Sequence, residues 1–383
     1  MTDAGLRLAV DAHPLLGQRS GVGRYLDGVL TGLAALDGAP EPVLTLYNLW
    51  QQVPEPAPPR TRLAERPRLT RRISPIVLNH LWRHVPRGGV ELLTGPVDVF
   101  HAGNYVLPPL RRAAGVVTVH DLAYLRYPET VDDYVATYRT RVPDALRRSA
   151  RVVTVSDAVR DELVAEYGLD PATVVVAPNG VDPSWARAEP LDTAARARLD
   201  VPERYVLFVG NLEPRKGLPL LAAAHAAARR QDPDVPPLLL VGPPGWGDAW
   251  DGTEPDRTDV RHLGFVPDDD LQGLVAGATA LCMPSRYEGF GLPILEALAC
   301  GRPVLASDIP AHREVGGGDV HFVGAADVDG WSQALVDVST VADPATAEQS
   351  RRAQAGPFTW ERSAGVHLQA WRAAAAERPS RAR

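Results

Sequence analysis

Two glutamates eight positions apart flank a glycine-rich turn whose backbone could bind an anion. The stretch runs from Glu288 to Glu296 and follows a short apolar run at positions 280–284. Its glycines allow a sharp turn, and the N–H groups at the start of the following helix favour phosphate. Glu296 would lie on the second helical turn, where a carboxylate can hold two adjacent hydroxyl groups. We therefore predict a ligand-binding turn made of Glu288, Gly289, Phe290, Gly291, Leu292 and Glu296.

Two adjacent cations, Arg215 and Lys216, follow another apolar run at positions 205–210. A turn after a strand lies at the carboxyl edge of a parallel sheet, where α/β proteins bind ligands. The planar fork of arginine and the compact charge of lysine together suit a diphosphate. Lys216 is also the single lysine among 40 basic residues. Composition alone would leave that lysine to chance, and its position in this turn favours a chemical role.

Two further candidates lie in the first half of the chain. His120 ends the apolar run at positions 116–120 and is followed by Asp121, so its ring or carbonyl would face a substrate crevice; the alternative is a structural histidine. Gly23 belongs to Ser20-Gly21-Val22-Gly23, which resembles a dinucleotide fingerprint but has Leu26 where the third glycine is expected. We interpret this stretch as a flexible loop that opens a helix toward the ligand.

Several common catalytic and metal-binding motifs are missing from the sequence. It contains no HExxH motif and no cluster of cysteine and histidine, so no metal site is predicted. Residues 268–270 are three aspartates, which we interpret as the start of a helix rather than as metal ligands. The sequence also lacks the GxxxxGK[ST] loop of P-loop NTPases and the GxSxG elbow of hydrolases.

The composition of the 383 residues is that of a globular protein. Hydrophobic residues make up 45% and charged residues 23% of the chain, and the net charge of −7 argues against a nucleic-acid partner. The two cysteines, Cys282 and Cys300, lie in apolar stretches, so we interpret them as core residues in a reducing compartment. No apolar run approaches the roughly 20 residues of a membrane span, and the first residues do not resemble a signal peptide. A cytoplasmic location is therefore expected.

Short apolar runs alternate with helical patterns along almost the whole chain, which is typical of a doubly wound α/β fold. The runs form two groups separated by a proline-containing stretch at 182–202, which we interpret as a linker. This arrangement predicts two Rossmann-like domains, at 1–185 and 186–356, that face each other across a ligand cleft. The predicted strands are Leu6–Asp11, Val43–Tyr47, Val97–His101, Val116–His120, Val152–Ser156, Val174–Ala177, Tyr205–Gly210, Leu238–Gly242, Val260–Leu263, Ala278–Pro284, Pro303–Ala306 and Val320–Val323.

A basic segment at positions 60–87 carries eight arginines and one acidic residue, Glu65. Apolar residues recur in it at helical spacing, from Ile73 to Val85. Such a helix could contact the anionic inner face of a membrane as a peripheral element. The favoured interpretation is a surface helix that packs its apolar side on the sheet.

Taken together, these motifs resemble a known enzyme family. Glu288-x7-Glu296 with its glycines resembles the glutamate pair of retaining GT-B glycosyltransferases of family 4. Four other stretches occur in the order that this family shows: Val119-His120-Asp121-Leu122, Val155-Ser156, Pro178-Asn179-Gly180-Val181 and Glu213-Pro214-Arg215-Lys216. Two more resemble its mannosyltransferase-like branch: Gly21-Val22-Gly23-Arg24-Tyr25 and Phe100-His101-Ala102-x-x-Tyr105-x-Leu107-Pro108. The chain departs from the family at Asn211, where many members carry arginine, and at Gly217, where the similar branch often carries asparagine.

The resemblance implies a role for each candidate. Arg215 and Lys216 would hold the diphosphate of a nucleotide sugar, Glu296 its ribose, and Glu288 with the backbone of residues 289–292 the sugar. His120 would lie near the transferred sugar, and Gly23 near the phosphates and the acceptor. The last helix, at about 357–383, would pack back on the first domain.

The implied reaction is transfer of a hexose from a nucleoside diphosphate to an acceptor hydroxyl with retention, without a cofactor or metal. GDP-mannose is the favoured donor, and UDP-glucose or UDP-N-acetylglucosamine are alternatives. The acceptor would be a glycan, a lipid-linked glycan or a small molecule. Other functions considered on the same architecture are a nucleotide-sugar epimerase or hydrolase and a non-catalytic sugar-nucleotide-binding protein.

Overall fold

All strands in the described part of the chain belong to two parallel sheets. The computed structural model describes residues 5–16, 20–46, 68–70, 89–245, 259–340 and 343–377. The thirteen strands in these ranges are β1 Leu8–Asp11, β2 Val43–Leu46, β3 Arg68–Thr70, β4 Val99–Ala102, β5 Ala114–Val119, β6 Arg151–Thr154, β7 Val174–Val176, β8 Val206–Val209, β9 Leu238–Val241, β10 Val260–Gly264, β11 Ala280–Met283, β12 Val304–Ser307 and β13 His321–Val323. All twelve predicted strands are found, with no end moved by more than two residues, and β3 was not predicted.

Helices alternate with these strands. Within the described ranges they are α1 Gly21–Ala35, α2 Glu91–Thr94, α3 Ala123–Arg126, α4 Asp133–Ala136, α5 Tyr138–Arg148, α6 Asp157–Tyr167, α7 Thr193–Leu199, α8 Leu218–Gln231, α9 Asp268–Gly277, α10 Leu292–Ala299, α11 Pro310–Gly316, α12 Val328–Thr340, α13 Ala345–Ala355 and α14 Trp360–Ala376. Side-chain caps mark several starts: the Ser20 hydroxyl accepts a hydrogen bond from the Gly23 N–H, and the Ser156 hydroxyl accepts one from Val159. The triple aspartate at 268–270 opens α9, as predicted.

The chain divides into two compact units. The first comprises Met1–Leu122, Asp133–Gly180 and Phe358–Arg383, and the second comprises Ala123–Asp132 and Val181–Pro357. The sheet of the first unit has the strand order β3-β2-β1-β4-β5-β6-β7, and the sheet of the second has the order β10-β9-β8-β11-β12-β13. Each unit therefore has a doubly wound, Rossmann-like sheet, and the predicted fold class is confirmed.

Continuous burial explains the apolar strands. All six residues of β5 are buried, as are all four of β8, β9 and β11, because helices cover both faces of a parallel sheet. Cys282 lies in β11 and Cys300 follows α10, and burial raises the pKa of both thiols to about 12. Both cysteines are therefore core residues, as their apolar surroundings predict.

The last helix, α14, packs in the first unit. Its start lies against α1, where the carbonyl oxygen of Trp360 would be 2.2 Å from a Cβ placed on Gly32. The Arg151 guanidinium forms an ion pair with Glu377, just beyond the helix, and the Tyr25 hydroxyl is 2.7 Å from Nε2 of His367 on the helix. These contacts join the two ends of the chain within one unit.

The linker expected at 182–202 needs correction. The stretch at 182–202 is not a linker, because it contains α7 and a buried Trp185 whose carbonyl accepts a bond from the Cys300 thiol. Its prolines and weak strand pattern suggested a linker, but it packs as part of the second unit.

Of the basic segment 60–87, only β3 is described, and the proposed helix lies outside the described residues. Within the described ranges, no helix combines the length and apolar character that crossing a membrane requires.

Substituting Gly32 with alanine should destabilise the first unit by about 1–3 kcal/mol, because the added methyl group meets backbone that cannot rotate away. Gly365→Ala on α14 is the matched control. No atom lies within 4 Å of its added Cβ, so it should stabilise by about 0.5–1 kcal/mol through helix propensity. Thermal unfolding followed by circular dichroism shows whether each substitution raises or lowers stability. Equal effects of the two substitutions would contradict the close contact between Gly32 and the Trp360 backbone.

Candidate functional site

The predicted cations and the predicted glutamates meet at one point of the second sheet. Strands β8 and β11 are neighbours there, with β9 and β10 continuing on one side and β12 and β13 on the other. Strand order thus reverses between β8 and β11, and a crevice opens at the carboxyl ends of strands at such a reversal. Arg215 and Lys216 follow β8, and Glu288 follows β11. The topology therefore brings together side chains that are more than 70 positions apart.

The cation turn and the end of β11 approach each other closely. Pro214–Lys216 form one turn of 3₁₀ helix, followed by Gly217 in the left-handed conformation with φ +69°. A Cβ on Gly217 would lie 2.2 Å from the carbonyl oxygen of Pro284. The Arg286 N–H donates to the Arg215 carbonyl over 2.8 Å. Glycine at position 217 is thus required both by its φ and by this close approach.

The Glu288 carboxylate holds both cations. The Lys216 ammonium donates to Oε1 over 2.5 Å, and the Arg215 guanidinium donates to Oε2 over 2.9 Å. The Ser285 hydroxyl adds a third hydrogen bond, to Oε1, at 2.7 Å. The three charged side chains are 9–14% exposed, so the pairs are shielded from solvent but remain accessible to a ligand. The sequence predicted these residues in one site but not their direct pairing.

A second carboxylate orients Arg215 from its other side. Oε2 of Glu213 accepts from Arg215 Nε at 3.0 Å, and Oε1 accepts from Asn211 Nδ2 at 3.2 Å. Arg215 also donates to the Tyr287 carbonyl at 3.0 Å. Its guanidinium is therefore fixed by three groups, and Asn211 contributes through Glu213.

Burial alone would raise the pKa of Glu288, but the nearby charges of Lys216 and Arg215 outweigh that effect. The net pKa of this carboxyl lies well below its usual range. Glu288 is therefore ionised at neutral pH. A carboxylate that accepts hydrogen bonds from two cations is a weak nucleophile.

The glycine-rich turn at residues 288–291 leads directly into α10. Gly291 precedes the helix with φ +117°, and Pro293 occupies its first turn, where the missing N–H has no helical partner to lose. The positive end of the helix dipole lies at this turn, which favours a negatively charged ligand. Phe290 is buried, with 5% of the residue exposed. Glu296 lies on the second turn and is 4% exposed.

His312 lies behind this turn and was not identified from the sequence. Its Nδ1 is 3.0 Å from the Ser307 carbonyl, which makes Nδ1 the protonated nitrogen. Burial lowers the pKa of His312, although the charge of Glu288 acts in the opposite direction. A Cβ on Gly291 would lie 3.4 Å from the His312 ring, so this neutral ring supports the turn. No sequence motif marks His312, whereas Ser285 and Glu213 could have been found because they lie three positions before Glu288 and two positions before Arg215.

The other two candidates, His120 and Gly23, lie in the first unit. The His120 ring follows β5 and donates from Nε2 to the Gly103 carbonyl over 2.9 Å. Burial lowers its pKa, so the ring is neutral at pH 7. Gly23 lies in the first turn of α1, and a Cβ there would lie 2.7 Å from the Pro14 carbonyl oxygen. The candidates thus form one group in each unit.

Among the described residues, no group of three or more His, Cys, Asp or Glu side chains is arranged to hold a metal ion. The cluster at the strand reversal of the second sheet contains the Arg215, Lys216, Glu213 and Glu288 side chains. This arrangement can bind an anion by charge and position a polar ligand by hydrogen bonds.

Both halves of the chain match known families. Residues 203–340 match the family described as Glycosyl transferases group 1, and residues 19–185 match the family described as Glycosyltransferase Family 4. The chain is 34% identical over 275 residues to O-antigen chain mannosyltransferase B of Escherichia coli, covering 69% of this chain and 71% of that protein. It is 34% identical over 256 residues to D-inositol 3-phosphate glycosyltransferase of Kineococcus radiotolerans, covering 60% and 58%. HepE from Anabaena, solved with UDP and glucose, has a similar fold, with a TM-score of 0.66 at 18% identity over 95% of this chain and 98% of that chain.

Glu288→Gln should destabilise the protein at neutral pH by about 3 kcal/mol, because Lys216 and Arg215 lose their buried counter-charge. The folded pKa of Glu288 is depressed, so its contribution is present above the unfolded value of about 4.3 and is lost as the pH falls toward the folded pKa. The difference between the native protein and Glu288→Gln should therefore be constant from about pH 5 to 7 and shrink below about pH 4.3.

Urea unfolding at several pH values measures this difference. Glu129→Gln is the matched control. Glu129 is 61% exposed and its ion pair with Arg286 is long, at 4.0 Å, so this substitution should change the free energy of unfolding little at any pH. A Glu288→Gln effect that grows as the pH falls would show that the carboxyl is not held ionised by these cations.

Proposed function

This chain belongs to glycosyltransferase family 4 and is a glycosyltransferase of GT-B architecture that transfers a sugar from a nucleotide sugar; we propose that it moves mannose from GDP-mannose to an acceptor hydroxyl with retention at the anomeric carbon. The observation that carries this proposal is the Arg215–Lys216–Glu288 cluster at the strand reversal of the second sheet. It combines a paired positive charge with a helix start that favours an anion.

The hard step of such a transfer is departure of the nucleoside diphosphate. Lys216 and Arg215 stabilise the charge that develops on its oxygens, together with the N-terminus of α10. Groups already fixed in position stabilise a transition state without reorganising, and Glu213 and the Tyr287 carbonyl fix Arg215 in this way.

The acceptor attacks from the face that the diphosphate leaves, and the diphosphate takes up the proton of the acceptor hydroxyl. The bond from the anomeric carbon to the diphosphate breaks, and a bond to the acceptor oxygen forms. Glu288 does not serve as the nucleophile, because Lys216 and Arg215 hold its carboxylate. It instead accepts hydrogen bonds from hydroxyls of the donor sugar.

The remaining candidates complete the donor site in this proposal. Glu296 binds the ribose hydroxyls, and the backbone of residues 289–292 contacts the sugar and phosphates. His120 of the first unit contacts the transferred sugar. Gly23 lies in the first turn of α1 rather than in the flexible loop that the sequence suggested, and the Pro14 carbonyl keeps this position small. In this proposal the start of α1 approaches the phosphates and the acceptor.

The choice of donor rests on similarity. The relative from Escherichia coli is a mannosyltransferase, which favours GDP-mannose. UDP-glucose and UDP-N-acetylglucosamine are the alternatives, and HepE supports them only as a protein of the same fold that binds UDP and glucose. The acceptor is a glycan, a lipid-linked glycan or a small molecule that offers a hydroxyl.

A thermal-shift screen against GDP, UDP and their sugars tests the donor. A ligand that binds the folded protein raises its stability in proportion to the logarithm of its concentration over Kd. Stabilisation by GDP and GDP-mannose, but not by UDP or its sugars, is expected. Stabilisation by the UDP series alone would replace mannose transfer with the UDP-dependent alternative.

Lys216→Ala should lower kcat by about 10²–10³, since it removes one preorganised group from the leaving diphosphate. Lys216→Arg should also lower activity, because a planar fork does not place its charge where the ammonium lies. Arg230→Ala is the matched control: it removes one exposed cation from α8, the helix that follows the same turn. Sugar transfer is measured by release of the nucleoside diphosphate, with circular dichroism to show that each variant folds. Undiminished rates in both Lys216 variants would remove Lys216 from the mechanism.

A further inference from the structure

Tyr105 has an unusual backbone conformation next to His120. Its φ is +58°, and it is one of only two non-glycine residues with positive φ in the described part of the chain. Its side chain is also buried, at 7% exposure. A bulky side chain at positive φ is strained, and such strain persists only where the surroundings impose it. Tyr105 belongs to the stretch Phe100–Pro108, for which the proposed reaction gives no role.

A residue needed only for the turn would be glycine or asparagine, which adopt this conformation at lower cost. The chain has an asparagine one position earlier, at Asn104, yet the left-handed position is occupied by tyrosine. The tyrosine side chain must therefore contribute something that a turn residue lacks.

Three hydrogen bonds connect the Tyr105 segment to the end of β5. The Tyr105 N–H donates to the Thr118 carbonyl over 2.9 Å, and the Asp121 N–H donates to the Tyr105 hydroxyl over 3.0 Å. The Gly103 carbonyl accepts the bond from Nε2 of His120 at 2.9 Å. Backbone and side chain of this segment thus hold the residues on both sides of His120.

Aromatic rings enclose His120 from two sides. The Tyr105 and Tyr25 rings each meet the His120 ring in a T-shaped arrangement, with centroid distances of 5.6 and 4.8 Å and interplanar angles of 68° and 82°. Tyr25 is itself held by its hydroxyl, which is 2.8 Å from Thr118 Oγ1 and 2.7 Å from His367 Nε2. Tyr138 stacks on the other side of Tyr105 at 4.5 Å. The imidazole is therefore restricted in rotation as well as in tautomer.

We propose that Tyr105 is a positioning residue for His120, and that its strained backbone keeps the imidazole oriented with Nδ1 available to the transferred sugar. A carbonyl can only accept, so the bond to Gly103 places the proton on Nε2 and the lone pair on Nδ1. Tyr105 does not touch the substrate. It acts through His120, and this inference rests on the proposed function of His120 at the donor sugar.

Tyr105→Phe removes only the hydroxyl that holds the Asp121 N–H and keeps both ring contacts. It should lower kcat by about three- to tenfold, the value of one hydrogen bond, with the KM for the donor unchanged. Tyr105→Asn keeps a residue that tolerates positive φ but removes the ring and the hydroxyl, so kcat should fall by about 100-fold. Tyr134→Phe is the control, since the Tyr134 side chain is 60% exposed and should leave activity unchanged.

The imidazole nitrogens provide a readout that is independent of activity. In protein with ¹⁵N-labelled histidine, the His120 resonances, assigned by their loss in His120→Gln, should show Nε2 protonated and Nδ1 unprotonated. Tyr105→Phe and Tyr105→Asn should shift or broaden them, and Tyr134→Phe should not. This result decides the positioning role even if no nucleotide sugar is turned over, so failure of the proposed function is separately visible.

Each combination of results has a definite meaning. Displaced His120 resonances together with a lowered kcat support the proposal, as do displaced resonances alone in a protein without detectable turnover. Unchanged resonances overturn it whatever happens to kcat, because Tyr105 would then act by another route. Displaced resonances with full activity also overturn it, because the orientation of His120 would not matter to the reaction.

Discussion

The candidate site of the second unit depends on one buried carboxylate, Glu288, that two cations share. Burial opposes ionisation of Glu288, and the charges of Lys216 and Arg215 outweigh it. Glu288 in turn supplies the counter-charge that both cations share. Their meeting depends on β8 lying beside β11 and on Gly217 allowing the cation turn to reach the Pro284 carbonyl. The pairing of Glu288 with Lys216 and Arg215 thus requires the strand order, the glycine at position 217 and the opposite charges together.

The charges of this cluster also limit how a diphosphate can bind. Two cations, Arg215 and Lys216, face two carboxylates, Glu213 and Glu288, so the formal charges balance. Lys216 uses one of its three N–H donors on Glu288, so donors remain for a diphosphate while the carboxylate stays in place. A diphosphate bound here would therefore share the cations with Glu288, and the added negative charge would be opposed in part by that carboxylate.

The sequence predicts the local parts of this site better than their contacts. Strand runs, the glycine turn and the Arg215–Lys216 pair are encoded in short stretches, since burial and turn formation act over a few residues. The bond from Lys216 to Glu288 spans 72 positions and depends on strand order, which apolar runs do not specify. His312 was missed for the same reason, because it reaches the turn from α11. The stretch at 182–202 was misread because its apolar contacts, such as those of Trp185, are also made at long range.

The first sheet follows the same topological rule with different chemistry. Its strand order reverses between β1 and β4, and Gly23 and Tyr105 lie in the segments that follow these two strands. Here the groups around His120 are aromatic rings, hydroxyls and carbonyls, and burial keeps the imidazole neutral. A neutral ring held by tyrosines can orient a sugar hydroxyl but cannot neutralise phosphate. The proposed function therefore gives the charged groups of the second unit the role of stabilising the diphosphate and the neutral His120 the role of orienting the sugar.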